Sequence, residues 1–218
     1  MLLGSLIIFA ALSVGSRTLY DQAEQRLLEE STGEASQVLT VAVGSLKSPI
    51  ESAATVAHIT DGNPDAFRAA MTDQVGPAPR SFTSAALYRL GQPDPVAVLG
   101  STVALTADGP TSAAGVAETA AKSDGDFVVV DLLSSGRRLG YAAVDSAADP
   151  RFLVYAERQL GPDPNVRTRT DEPFARLNYA IYLNDERPEQ LLSSSLPDSE
   201  LPVSGRRARS SWSVLPWV

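Results

Sequence analysis

The chain contains no cysteine. That excludes a disulfide framework, zinc–thiolate centres and thiol catalysis, and it leaves the compartment open. Histidine occurs once, as His58. Metal centres usually draw on two or more His or Cys, and a His-dependent triad needs a positioned partner, so His58 is read as a residue near the end of a helix. Glycine-rich phosphate loops are missing too: Leu99-Gly100-Ser101 has one glycine and no following lysine. Asp61-Gly62-Asn63 has a calcium-loop flavour without the full loop pattern and its terminal Glu. Basic stripes are absent. Arg137-Arg138 and Arg206-Arg207 are isolated pairs in a chain of net charge −8, which disfavours nucleic acid as a partner. The acidic pairs Asp171-Glu172 and Asp185-Glu186 are adjacent residues, not carboxylates held across a pocket as a glycosidase requires. No catalytic constellation, metal site or cofactor motif is expected.

Enough apolar residues are present for a core. They make up 44% of 218 residues, with 20% charged, which suits one domain of about 150–200 residues and an appended segment. Residues 2–14, LLGSLIIFAALSV, carry no charge, and the uncharged run stops at Ser16 before Arg17. A membrane span takes about 20 apolar residues, and no Lys or Arg precedes this run. It is therefore read as a membrane anchor truncated upstream. A short signal segment with Ser13-Val14-Gly15 as a weak cleavage site, or a buried core helix, is the alternative. The anchor is preferred because the run passes into a helical pattern with no breaker except Gly15.

From Thr18 to about His58, apolar or small residues recur at Leu27, Ala35, Leu39, Ala42, Leu46, Ile50, Ala53 and Ala57. Their spacing paints one stripe on a long helix. Gly33 and Gly44 spoil a heptad register, and Pro49 predicts a joint near Lys47-Ser48-Pro49. Asn63 and Pro64 open a short helix over 64–74. Strands are expected at Ser84–Leu90 and Val96–Leu99, a helix at Ser112–Lys122, and an antiparallel meander through Phe127–Leu133, Leu139–Val144 and Arg151–Leu160. Further strands are expected at Tyr179–Leu183, Leu191–Ser195 and Arg209–Leu215, with a helical turn from Asp171. Trp212 and Trp217 flank the last of these, as core residues or as aromatics at a membrane interface.

The stretches FLVYAERQL (Phe152–Leu160), EPFARLNYAIYL (Glu172–Leu183) and LPVSGRRA (Leu201–Ala208) resemble CHASE-type extracellular sensor domains, in the form found in actinobacterial membrane receptors. The resemblance covers most of the chain in element order. It implies an α+β fold: a membrane helix continuing into a long helix, then a PAS-like antiparallel sheet with short helices. The corresponding divisions are 1–16 (anchor or signal segment), 17–60 (juxtamembrane helix) and 61–218 (sensor domain, C-terminally incomplete). The resemblance also implies a receptor of the sensor histidine kinase or nucleotide cyclase type, sensing a small molecule or peptide outside the cell. The output module is not in this sequence.

A sensor pocket needs a few polar groups converging in an apolar concavity. Tyr155 and Arg158 on one strand, with Tyr179 and Tyr182 on a neighbouring one, are the candidate ligand-binding residues. The plainer expectation for them is half-buried sheet positions, with Glu157 and Arg158 on opposite faces. The expected partners are that ligand, the membrane and a second copy through the long helix. An anchored or secreted cell-envelope interaction protein is the alternative function, and an envelope hydrolase lacks a visible nucleophile and base.

Overall fold

The computed structural model describes residues 26, 37, 41–101, 103, 105–106, 109–122, 127–147, 149–165, 178–183, 187–197 and 201. The expected anchor (1–16), the acidic pairs, the helical turn from Asp171, the strand at 209–215 and both tryptophans lie outside them. No helix among the described residues is long and apolar enough to cross a membrane.

Runs of β-branched and small apolar residues build the sheet. Its strands are β1 (Ser84–Arg89), β2 (Pro95–Gly100), β3 (Phe127–Leu132), β4 (Arg138–Val144) and β5 (Phe152–Gln159). Spatial order is β2-β1-β5-β4-β3, with every neighbouring pair antiparallel. The chain is thus α+β, as expected, and the meander β3-β4-β5 lies where the alternation placed it. β5 is the seam. It hydrogen-bonds β4 on one side and β1 on the other, so it joins the meander to the earlier hairpin.

Both faces of this sheet are covered, which is why its strands read as nearly continuous apolar runs. One face presents Leu87, Val129, Tyr141, Phe152 and Val154. Helix α1 (41–59) lies on it with Leu46, Ile50, Ala53, Ala54 and Ala57 buried, beside helix α2 (Pro64–Met71) with Phe67 and Met71. Asn63 caps α2 by accepting from the Asp65 and Ala66 amides at 2.9 and 3.1 Å, with Pro64 in the first turn. The joint predicted at Pro49 does not interrupt α1, which is helical from 41 to 59. Leu46 and Ile50, buried on either side of Pro49, tie both turns to the sheet and offset the lost backbone donor.

The opposite face presents Ala86, Tyr88, Val128, Val130, Ala142 and Tyr155. Helix α3 (Ala113–Ala121), capped by Ser112, packs on β3 and β4 through Val116, Ala117 and Ala120. A second, two-stranded sheet pairs β6 (Ala180–Tyr182) with β7 (Leu191–Ser194). It docks at the β3–β4 turn. There the Arg137 guanidinium donates to the carbonyls of Leu191 and Leu192 at 3.1 and 3.0 Å, and Gln190 donates to Asp131 at 2.7 Å.

Candidate functional site

The polar exception to the apolar interior lies on the α3 face, centred on Glu157. This carboxylate is 1% exposed. It sits on β5 two residues beyond Tyr155, so strand alternation puts both on the same face. Tyr155 Oη donates to Glu157 Oε1 at 3.1 Å, and Arg138 Nη1 donates to Oε2 at 3.0 Å. A buried charge needs such partners, because the cost of removing it from water is otherwise prohibitive. Arg138 comes from the first residue of β4, and its side chain keeps 27% exposure.

The cross-strand neighbours of Glu157 are Ser84 on β1 and Gly140 on β4. Gly140 is required by packing: a Cβ there would come within 2.7 Å of Tyr155 Oη and 2.9 Å of Val130 Cβ. Ser84 is fully buried, and its Oγ has no hydrogen-bond partner among the described residues. Tyr88 lies further along the same face of β1, and Val103 and Leu105 from the β2–α3 connection pack against the apolar residues around it.

The field in this cluster is negative. Burial pushes the Tyr88 hydroxyl up to about 12, helped by the charges of Glu157 and Asp94. Burial likewise raises Tyr155, with the charge and hydrogen bond of Glu157 adding to it. Both phenols are therefore hydrogen-bond donors at any physiological pH. A carboxylate, two phenols, a guanidinium and a hydroxyl thus gather on the α3 side of the sheet, largely out of water. They do not form a nucleophile–base pair. His58 is elsewhere, at the end of α1, with Nδ1 3.1 Å from Asp145 Oδ1 but not aligned for a hydrogen bond. Among the described residues no group of His, Asp and Glu is arranged to hold a metal ion.

The four residues singled out from sequence do not converge. Tyr155 is fully buried in the cluster. Arg158 is exposed and belongs to the α1 face of β5, opposite Tyr155. Tyr182 is on β6 and Tyr179 just before it, both half-buried in the smaller sheet. Ser84, Tyr88 and Arg138 were not among the candidates, and Glu157 was read as lying on the face opposite Arg158. The available signal was a lone Glu two places after a Tyr in an otherwise apolar strand, which puts a charge on a face that has to be covered.

No family model matches the chain, no curated protein matches it, and no solved structure matches it.

Proposed function

We propose that this chain is the ligand-sensing, extracytoplasmic part of a membrane signal-transduction receptor, with a PAS-like domain of the CHASE type carried on a long helix. The build supports this reading: one antiparallel sheet holds a long helix on one face and a short helix on the other. The observation that carries it is the buried Ser84 hydroxyl, without a hydrogen-bond partner among the described residues, beside the Glu157–Tyr155–Arg138 network. A buried polar atom left unsatisfied costs stability, so it calls for a partner, which a ligand or an ordered water supplies. A ligand's polar group placed against Ser84 and Glu157 would complete the network. Tyr155 keeps its place in the proposed site, and Ser84, Tyr88, Arg138 and Glu157 replace the other three candidates.

Ligand binding to the folded state raises its melting temperature in proportion to the logarithm of concentration over Kd. A panel of amines, amino acids, hydroxy acids and sugars should therefore contain a compound that shifts the melting of this chain saturably. The shift should be lost in both Ser84→Ala and Glu157→Gln. A panel without any shift, or a shift that survives both substitutions, refutes the site. The topology is tested separately: protease added to intact spheroplasts should digest the domain, and protection inside the cytosol would end the receptor reading.

A further inference from the structure

α1 meets the sheet, over its last turns, with Ala53, Ala54 and Ala57. Such small side chains make shallow ridges, which hold the axial register of a helix weakly. Beyond Leu46 and Ile50, which anchor the earlier turns, the register at this end is held by polar contacts. There Asp61 N–H donates to the His58 carbonyl at 3.3 Å and Gly62 N–H to the Ala57 carbonyl at 2.7 Å, closing a Schellman end with both residues at positive φ. Gly62 lies against the Phe152 ring so closely that a Cβ would fall 2.3 Å from Cε1.

Two arginines then grip this end from the sheet. Arg151, just before β5, places Nη1 2.8 Å from Asp61 Oδ1 and donates through Nη2 to the His58 carbonyl at 3.4 Å. Arg89, the last residue of β1, donates to the Asp61 carbonyl at 3.0 Å with Nη1 3.6 Å from its carboxylate. Both guanidinium groups lie over the ring of Phe152, Arg89 at 4.7 Å and Arg151 at 5.5 Å from its centroid. Their positive charge complements the carbonyl end of α1. The backbone of Arg151 and Phe152 is itself pinned, since both amides donate to buried Asp145, at 2.8 and 2.9 Å.

We propose that Asp61, Arg89 and Arg151 form a latch that sets the register of α1 against the sheet, and that its opening is the conformational step of the module. The contacts suit that task. They join the end of α1 to the two strands, β1 and β5, that carry Ser84 and Glu157. They are also partly solvent-accessible, with Asp61 67% and Arg151 43% exposed, so water competes for the ion pair. The signalling role of the latch rests on the sensor reading above. The latch itself does not, and it is tested without ligand.

Because the chain has no cysteine, spin labels can be placed cleanly at Ser52→Cys on α1 and Ser134→Cys in the β3–β4 turn, both exposed. The distance between them is read by pulsed electron paramagnetic resonance. In Asp61→Asn a second distance should appear, or rise about 5-fold or more in population, while thermal unfolding stays a single cooperative transition. Arg89→Gln, a milder change, should move the distribution the same way by less and keeps the test valid if Asp61→Asn fails to fold. An unchanged single distance in a folded variant, even one that melts earlier, would show Asp61 to be a stabilising contact only and overturn the latch.

Discussion

Ser84→Ala should make this protein more stable. Ser84 is fully buried and its Oγ lacks a hydrogen-bond partner among the described residues. Burying an unpaired hydroxyl costs roughly 1–3 kcal/mol by protein mutational data. Alanine removes that cost and leaves a hole of less than one methyl group, so the net gain should be about 1 kcal/mol. For a domain of this size that corresponds to a rise in Tm of about 2–4 °C. The sign is the informative part. Substitutions centre on a loss of about 1 kcal/mol, and a core position that improves on truncation to alanine is unusual. Urea unfolding followed by far-ultraviolet circular dichroism gives the difference directly, provided the slope with denaturant is unchanged. A loss of about 1 kcal/mol or more would mean that Oγ is satisfied in the protein in solution. Ser84 would then be kept for folding and not for a ligand. A gain accompanied by lost ligand response is the trade expected of a binding residue that costs stability.

Gly62→Ala should destabilise on two counts: roughly 1–2 kcal/mol for a Cβ at a left-handed position and about 1–3 kcal/mol for overpacking against Phe152. Denaturant titration checks it, and a loss below about 0.5 kcal/mol would mean that the helix end does not hold the geometry described. In alkali the buried tyrosines set a limit on stability. Tyr88 and Tyr141 are pushed up to about 12 by burial, above the unfolded value of 10.0. Between those values the unfolded chain has lost protons that the folded one keeps, so stability is unaffected below pH 10 and falls as pH rises from there toward 12. Absorbance of phenolate at 295 nm should therefore rise cooperatively with loss of circular dichroism. A smooth non-cooperative titration of every tyrosine in the folded protein would contradict their burial.

The strands were legible because each carries its own turn chemistry and a period that survives burial. Ser134-Ser135-Gly136 closes the turn between the expected strands β3 and β4, with Gly136 at φ 92°. Asn63-Pro64 likewise announced α2. Which face each strand residue takes was harder to read. In FLVYAERQ, period two separates Tyr155 and Glu157 from Arg158, but with apolar residues at both parities nothing marks which set meets α1 and which meets α3. The candidate list joined Tyr155 to Arg158 across that boundary. Tyr179 and Tyr182 failed to join for another reason: β6 pairs with β7, and a strand's partner is a tertiary fact. Pro49 shows the converse error. Its local cost is real, yet the burial of Leu46 and Ile50 outweighs it, as tertiary packing commonly does.

β5 is the physical link between the proposed site and the latch. Phe152, which Gly62 and both arginines contact, is three residues from Tyr155 and five from Glu157 along one strand. At about 3.4 Å per residue those separations are roughly 10 and 17 Å. A strand bonded on both sides moves as a unit, so a small shift of β5 that accommodates a ligand at Glu157 is felt at Phe152 without any relay of side chains. A shift alone signals nothing unless the ligand favours one packing of α1 over another. The latch supplies that difference in energy if its contacts are made in only one packing. Amide exchange separates the cases: ligand should change protection at the end of α1 and at β5 together while leaving β3, on the far side of the meander, unchanged. A uniform change across all five strands would reduce the effect to global stabilisation and remove β5 as the link.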